Sequence, residues 1–288
     1  MAVEILDETK SELGEGPTYD PAQDKAWWFN IVGKKLFEHD FAAATTTVHD
    51  LPLMASALGV IDASRQLIAA EDGLYIRDTA TNQLTLHHPL EADDPLTRSN
   101  DGRLHQSGAL WIGTMGKKAE KAAGTIYWFF KGELRRLYGG ITVPNAICFA
   151  PAGDIAYFTD SRTHRLMAVA VDPANGFPRE EPHLLYEHTA KGGMDGAVVD
   201  ADGVIWNACW GGACVNVISP QGKLLRTVPV PALQASCPAF VGRNLSRLLV
   251  TSAWQNMDAA TRAGDAHAGK TFILGTPVRG RAEPYVIL

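Results

Sequence analysis

Several features that mark common protein classes are missing from this sequence of 288 residues. No stretch reaches the roughly 18 consecutive apolar residues that a membrane-spanning helix needs. The first ten residues carry acidic side chains where a secretory signal peptide needs a basic segment followed by an apolar run. We therefore expect a soluble protein of the cytoplasm with no membrane partner.

Cysteine patterns and excess basic charge are missing as well. The four cysteines show no C-x-x-C pair and no matching histidine spacing, which indicates neither a zinc finger nor a disulfide framework. A net charge of −6 and a pI near 5.8 argue against a nucleic-acid partner. The sequence also lacks the G-x-S-x-G, H-E-x-x-H, P-loop and G-x-G-x-x-G motifs, so the corresponding enzyme classes are not indicated.

Helical periodicity is scarce, with residues 257–263 as the best short candidate, and a strand pattern recurs six times instead. Each repeat is an apolar strand that follows a short turn of the kind that joins antiparallel strands. A period of about 40 to 50 residues is typical of propellers. The sequence therefore predicts an all-β fold, a six-bladed β-propeller that forms one domain over residues 1–288. The central residues of the six strands follow one another at intervals of 39 to 49 residues: Trp28, Leu67, Trp111, Tyr157, Trp206 and Leu249.

Two further points of architecture follow from the pattern. The apolar segment around Val3 to Leu6 and the segment 284–288 could complete one blade between them, which would remove exposed strand edges and close the ring. The alternative architecture is a pair of β-sandwiches. The regular spacing of the repeats favours the propeller.

Three polar residues lie at equivalent places in different repeats. Glu15, Asn145 and Asp195 lie 13, 12 and 11 residues before the central residue of their strands. Equivalent positions in separate blades should face the same axis, so we expect these side chains to converge. Two carboxylates and one carboxamide supply the oxygen ligands that hard cations such as Ca²⁺, Mg²⁺ and Mn²⁺ prefer. Each residue taken alone could also be a turn former, because each neighbours Gly or Pro.

Seven motifs, in order, resemble the family that includes regucalcin (SMP-30), gluconolactonases and luciferin-regenerating enzyme. The resemblance covers about residues 12 to 283. Two departures affect the backbone more than the ligands: Met194 stands where the family usually has Pro, and Ala146 stands where Gly is frequent. The motifs are LGEGP (13–17), RSNDG (98–102), LWIGTM (110–115), PN (144–145), YFTDS (157–161), DG (195–196) and LLVTSA (248–253).

The resemblance implies a function and a site. It implies a six-bladed propeller that hydrolyses a sugar-acid lactone (aldonolactone) to the aldonic acid, a carboxylic-ester hydrolase. One divalent ion (Ca²⁺, Zn²⁺, Mg²⁺, Mn²⁺ or Fe²⁺) would be held by Glu15, Asn145 and Asp195. Asp195 would also act as the general base, and Arg98 and Asn100 would contact the substrate. The only implied partner is the small-molecule sugar lactone, and the protein could be a monomer or a small homo-oligomer.

Other functions stay open from the sequence. The chain could be a non-catalytic propeller that binds a metal or a partner, or it could hydrolyse another ester, including a sulfonated or phosphorylated sugar lactone. Lys117, Lys118 and Lys121 form either a solvated loop or a cationic patch for such an anionic sugar. Asp101 is either a turn residue or a carboxylate that holds a water near the metal. Trp210 either stacks on a sugar or packs between blades.

Overall fold

The computed structural model describes residues 3–288, which form 24 β-strands and one short helix. Strand β1 (Glu4–Asp7) belongs to the last sheet of the chain. The first four-stranded sheet contains β2 (Gly14–Asp20), β3 (Lys25–Asn30), β4 (Lys35–Asp40) and β5 (Thr45–Asp50). The second contains β6 (Ala55–Val60), β7 (Arg65–Ala70), β8 (Gly73–Asp78) and β9 (Leu84–Pro89).

Two more four-stranded antiparallel sheets follow in chain order. The third sheet contains β10 (Thr97–Leu104), β11 (Leu110–Gly116), β12 (Gly124–Phe130) and β13 (Glu133–Ile141). The fourth contains β14 (Pro144–Phe149), β15 (Ile155–Asp160), β16 (Arg165–Ala170) and β17 (His183–Glu187).

The remaining strands form one eight-stranded sheet. Its strands are β18 (Gly193–Val199), β19 (Ile205–Trp210), β20 (Cys214–Ile218), β21 (Leu224–Pro229), β22 (Gln234–Val241), β23 (Arg247–Ala253), β24 (Thr271–Leu274) and β1. This sheet consists of two antiparallel runs, β18 to β21 and β22–β23–β24–β1. A single residue pair, Trp210 with Gln234, joins the two runs. Helix α1 (Ala259–Gly264) lies between β23 and β24.

The arrangement of the sheets is propeller-like. The first strands of the six runs contact one another in a closed ring, β2 to β6, β10, β14, β18, β22 and back to β2. These inner strands are buried along nearly their whole length, whereas the outer strands β5, β9 and β21 are largely exposed. Apolar side chains fill the spaces between neighbouring sheets; Trp27 and Phe29 of the first sheet, for example, share a core with Leu58 and Ile68 of the second. Burial of these side chains between sheets stabilises the ring.

The closure of the ring differs in part from the sequence prediction. Strand β1 does complete the last sheet, but it pairs with β24 and not with the segment 284–288. That segment runs across the second and third sheets instead, where Val286 N donates to Val60 O (2.8 Å) and Ile287 N donates to Gly108 O (3.0 Å). The prediction of a helix near residues 257–263 is confirmed by α1, whose first turn is capped by the Asp258 side chain.

One arginine links several parts of the ring inside the channel. Arg103 is 7 % exposed, and its Nη1 donates to Pro17 O (3.3 Å) and to Glu283 Oε1 (3.0 Å). Its Nη2 donates to Ala197 O (3.3 Å) and contacts Cys237 Sγ (3.5 Å). The guanidinium therefore joins strands β2, β10, β18 and β22 and also the segment that follows β24.

Among residues 3–288 no helix is long and apolar enough to cross a membrane.

Candidate active site

A cavity of about 420 Å³ opens at one end of the ring, and all five predicted site residues line it. Its volume falls in the range of small-molecule sites. Strand β10 runs from this cavity to the opposite end of the channel. Its residues Arg98 and Asn100 line the cavity, whereas Arg103, further along the strand, lines a second, smaller cavity at the other end. The walls are formed by Leu13, Glu15, Arg98, Asn100, Met115, Ala119, Val143, Asn145, Ser161, Arg162, His164, Gly193, Asp195, Trp210, Gln255 and Asn256.

The polar residues of the cavity lie where the pairing of the inner strands is interrupted. A β-bulge re-aims side chains because an extra residue on one strand bends it locally. Repeated at the same place in several sheets, such bulges turn polar side chains toward a common axis. The interruptions fall between Glu15 and Thr18, Ser99 and Gly102, Asn145 and Cys148, and Met194 and Ala197.

Two of the bulges need a left-handed backbone residue directly after the polar one. Gly16 follows Glu15 with φ 57°, and Ala146 follows Asn145 with φ 54°. A Cβ on Gly16 would lie 2.0 Å from Ser56 O, so only glycine fits there. Ala146 adopts the same conformation without being glycine. The departure of this position from the family motif therefore leaves the backbone shape intact.

A chain of hydrogen bonds fixes the amide of Asn145. The Ser161 hydroxyl donates its only proton to Met194 O (2.6 Å), so Ser161 Oγ must accept from the Asn145 side chain (2.9 Å). The Asn145 group that faces Ser161 is therefore the NH₂ group. The amide oxygen, Oδ1, is turned toward Asn100, whose Nδ2 donates to it at 3.1 Å.

The predicted substrate pair is connected to this network. Arg98 Nη1 donates to Asn100 Oδ1 (2.8 Å), and Asn100 Nδ2 donates to Asn145 Oδ1 and to Pro144 O (3.0 Å). Arg98 is buried, and this burial lowers the pKa of its guanidinium to about 10 against the effect of the Glu15 and Asp195 carboxylates. The guanidinium lies in the cavity wall with no carboxylate oxygen within 4.0 Å among residues 3–288.

Glu15 and Asp195 are buried carboxylates, and neither has a cationic partner in the part of the chain that the structure describes. They are 8 % and 4 % exposed, and within the described part of the chain no Lys, Arg or His nitrogen lies within 4.0 Å of either. Burial, followed by the nearby Asp101, raises the pKa of Glu15 to about 8. Burial and then the Glu15 charge raise the pKa of Asp195 well above its usual value. Two carboxylates that repel each other in one cavity would be stabilised by a cation between them.

Comparison with known proteins identifies the family. The family model described as SMP-30/Gluconolactonase/LRE-like region matches residues 13–254. The chain belongs to this family. It is 55% identical over 280 residues, 97% of this chain and 95% of the other, to a Rhizobium meliloti protein named for sugar lactone lactonase activity. It is also 31% identical over 283 residues to L-arabinolactonase of Azospirillum brasilense, covering 96% and 93% of the two chains.

A solved structure extends the comparison. The crystal structure of regucalcin from Agrobacterium tumefaciens, described as a calcium-binding protein, has 51% identity and a TM-score of 0.98. The match covers 100% of this chain and 98% of that one. The resemblance to the SMP-30/gluconolactonase family is thereby confirmed. Lactonases are carboxylic-ester hydrolases, so the prediction of an ester hydrolase agrees with the names of these relatives.

The structure assigns Asp101 a place outside the cavity. Its Oδ2 accepts a hydrogen bond from Ile147 N at 2.8 Å, and so it ties β10 to β14. The side chain is 5 % exposed and does not line the cavity, and burial raises its pKa to about 6. Of the two predicted roles for Asp101, the structural one fits these contacts.

The loop that carries Lys117, Lys118 and Lys121, here called the lysine loop, does not form a cationic patch in the cavity. Lys117 Nζ pairs with Glu71 Oε2 (2.5 Å) and donates to Pro95 O (2.9 Å), so its charge is neutralised and it anchors the loop. Lys118 and Lys121 are exposed and do not line the cavity.

Sequence reasoning missed part of the cavity wall. Ser161, the last residue of the YFTDS motif, and the following Arg162 and His164 lie in the turn between β15 and β16, and all three line the cavity. The motif was the available signal, because it places this turn at the same end of its sheet as Asn145. Trp210, for which the sequence allows either sugar stacking or packing between blades, also lines the cavity.

Proposed function

We propose that this protein hydrolyses a sugar-acid lactone to the aldonic acid with the help of one divalent metal ion. The observation that carries this proposal is the convergence of Glu15, Asn145, Asp195, Arg98 and Asn100 on one cavity. The family and the lactonases among its members support the choice of reaction. The regucalcin neighbour, described as a calcium-binding protein, supports the metal.

The residues present fit a divalent ion. Glu15, Asp195 and the Oδ1 atom of Asn145 would hold it. Two buried carboxylates that no cationic side chain of residues 3–288 pairs with, together with an oriented amide oxygen, form an oxygen donor set. Within residues 3–288 no cluster of three or more His, Cys, Asp or Glu side chains is suited to a metal, which agrees with a set that includes an amide. When bound, the ion would polarise the lactone carbonyl and stabilise the negative charge that develops on its oxygen. Ca²⁺, Zn²⁺, Mg²⁺, Mn²⁺ and Fe²⁺ are the candidates.

The chain's own side chains supply the remaining functions. Ionised Asp195 would accept the proton of the attacking water at its carboxylate. Arg98 would orient ring oxygens through its free N–H groups. Asn100, held by Arg98 and Pro144, would bond to a substrate hydroxyl. The fixed hydrogen bonds among these residues would hold the substrate in one orientation.

We also infer that the ring has six blades. The closed ring of six inner strands supports this count, as does the single residue pair that joins the two runs of the eight-stranded sheet. Each run then serves as one blade, and the bulges of four blades supply the polar groups of the cavity.

The decisive experiment is pH-indicator hydrolysis of a panel of aldonolactones by metal-stripped protein to which each of the five ions is restored. We expect metal-restored activity in the wild type and its loss in Asp195→Asn and Glu15→Gln. Asp202→Asn, an exposed carboxylate that pairs with Arg279, is the matched control and should stay active. Metal binding without hydrolysis of any lactone would favour the non-catalytic propeller, and hydrolysis of other esters only would redirect the substrate class.

A further inference from the structure

Arg162 occupies a rigid turn at the mouth of the cavity. The Asp160 carboxylate accepts from Arg162 N (3.1 Å), from Val143 N (3.1 Å) and from Thr142 N (2.9 Å), which fixes the turn against the start of β14. The neighbouring Ser161 is tied to the Asn145 amide. The Arg162 side chain is therefore carried by a fixed backbone next to the proposed ligand set.

The charge of Arg162 is uncompensated. Arg162 is an exposed residue of the cavity wall, and among residues 3–288 no carboxylate oxygen lies within 4.0 Å of its guanidinium. Arg165, which is also exposed, likewise has no carboxylate oxygen within 4.0 Å among the described residues, so the position of Arg162 in the cavity wall is what distinguishes it. Arg162 thus leaves its donors available to whatever enters the cavity.

The charge balance of the cavity points in the same direction. The wall holds two carboxylates, Glu15 and Asp195, and two guanidiniums, Arg98 and Arg162. A divalent ion on the carboxylates would offset both of them and leave the two guanidiniums unbalanced. Such a cavity attracts an anion more strongly than a neutral sugar.

We propose that Arg162 is a specificity residue that binds an anionic group, a carboxylate, sulfonate or phosphate, on the part of the sugar lactone that extends away from the reacting carbonyl. This inference rests on the proposed lactone hydrolysis and adds the charge of the substrate to it. The planar guanidinium offers paired donors that match the oxygens of such a group. Arg162 would thereby bind the anionic group that Lys117 cannot bind, because Lys117 is already paired with Glu71.

The first test compares turnover of glucono-1,5-lactone with its 6-phospho, 6-deoxy-6-sulfo and 6-carboxylate counterparts. We expect the wild type to favour at least one anionic lactone, and Arg162→Gln to raise KM for that lactone about tenfold, while KM for the neutral lactone stays within about twofold. Arg165→Gln, an exposed arginine at the start of β16 that does not line the cavity, is the matched control. The arm with the largest loss identifies which anion is bound.

A second test needs no turnover. Binding of 1,5-anhydroglucitol and its 6-phosphate to metal-loaded protein is measured by calorimetry for the wild type, Arg162→Gln and Arg165→Gln. The wild type and the control should bind the phosphate more tightly, and Arg162→Gln should remove that difference. Equal loss for neutral and anionic lactones, or equal binding of the phosphate by wild type and Arg162→Gln, would overturn the anion site. Absence of all lactone hydrolysis would overturn the proposed function instead, and the binding arm would still decide on Arg162.

Discussion

The hydroxyl group of Ser161 sets the orientation of the neighbouring Asn145 amide. Its proton is committed to Met194 O, so it can only accept from Asn145 and thereby turns the amide oxygen away from itself. Residues that orient a ligand in this way commonly change metal affinity when they are removed.

We expect Ser161→Ala to weaken divalent-metal affinity about 10- to 100-fold, because the Asn145 amide can then rotate. Chelator competition with the metal-loaded protein measures the change. Thr163→Ala removes a hydroxyl of the same turn that bonds to Asp160 O (2.9 Å) and should leave the affinity nearly unchanged. Equal metal affinity in Ser161→Ala and the wild type would show that the amide is oriented by other contacts.

A second residue-scale feature is the half-buried Glu38, which contributes pH-dependent stability. Its interaction with His49 and then those with Lys25 and Trp27 lower its pKa from 4.5 to about 2, against the effect of burial. The Glu38 carboxylate lies 2.6 Å from Lys25 Nζ and 3.4 Å from His49 Nε2. Because the pKa is lower in the folded protein, the stabilisation is complete above about pH 4.5 and is lost as the pH falls toward 2.

We therefore predict that Glu38→Gln lowers the free energy of unfolding by about 1–2 kcal/mol at pH 7 and that this difference shrinks between pH 4.5 and 2. Urea denaturation across that range is the measurement. Glu133→Gln removes an exposed carboxylate that pairs with Arg135 and should show a small difference. A loss that is the same at pH 7 and at pH 2.5 would contradict the assignment.

At the residue scale the sequence predicted that Glu15, Asn145 and Asp195 converge, and they do line one cavity, but it did not predict the rim of that cavity. Glu15, Asn145 and Asp195 could be found because each lies on a strand that repeats, so an equal distance from the strand centre means an equal place in the ring. Arg162 could not be found in the same way. It lies in a turn, where side-chain direction follows local hydrogen bonds to Asp160 and not the period of the strands.

The element that positions the site is the bulged inner strand. In each of the six inner strands the register shifts once; in β6 the shift includes Ser56 and in β22 it includes Ser236. Where the bulge follows Glu15, the close approach of Gly16 to Ser56 O joins the first sheet to the second. The sequence pattern predicts the strands but not the bulges, because alternation of apolar and polar residues over five or six positions does not reveal one extra residue.

We predict that Gly16→Ala lowers the free energy of unfolding by about 3 kcal/mol or more, because its Cβ would meet Ser56 O at 2.0 Å in a left-handed conformation. Thermal or urea unfolding of the metal-free protein measures the loss. Gly132→Ala is the control: Gly132 has φ 75° but no atom within 4 Å of an added Cβ, so it should cost only about 1 kcal/mol. If both variants lose the same amount, the contact with Ser56 has no effect of its own.

At the scale of the whole molecule, the ring is stabilised by the contacts of Arg103 inside the channel as well as by packing between neighbouring sheets. The period of the repeats predicted the propeller because every unit must bury the same faces. The closing strand was predicted only in part. Both 271–274 and 284–288 are apolar enough to pair with β1, and the sequence does not rank them, although the second segment begins with Pro284, which cannot donate a ladder hydrogen bond.

Removal of Arg103 tests the internal connection. We expect Arg103→Leu to lower the free energy of unfolding by about 3–5 kcal/mol, because it leaves Glu283 without its buried partner and removes bonds to Pro17 and Ala197. Arg247→Gln, which breaks an exposed pair with Glu4, should cost at most about 1 kcal/mol. Urea denaturation of both variants measures these losses. A loss of at most about 1 kcal/mol for Arg103→Leu would mean that the Arg103 contacts inside the channel do not stabilise the ring.

The pairing of β1 with β24 also means that β1 is synthesised long before its partner strand. These strands are more than 260 residues apart, so at roughly 5 to 20 residues per second a ribosome needs on the order of 13 to 50 s between them. Throughout that interval β1 lacks the strand with which it pairs in the folded protein. During translation the backbone N–H and C=O groups of β1 are therefore open to pairing with a strand of another chain.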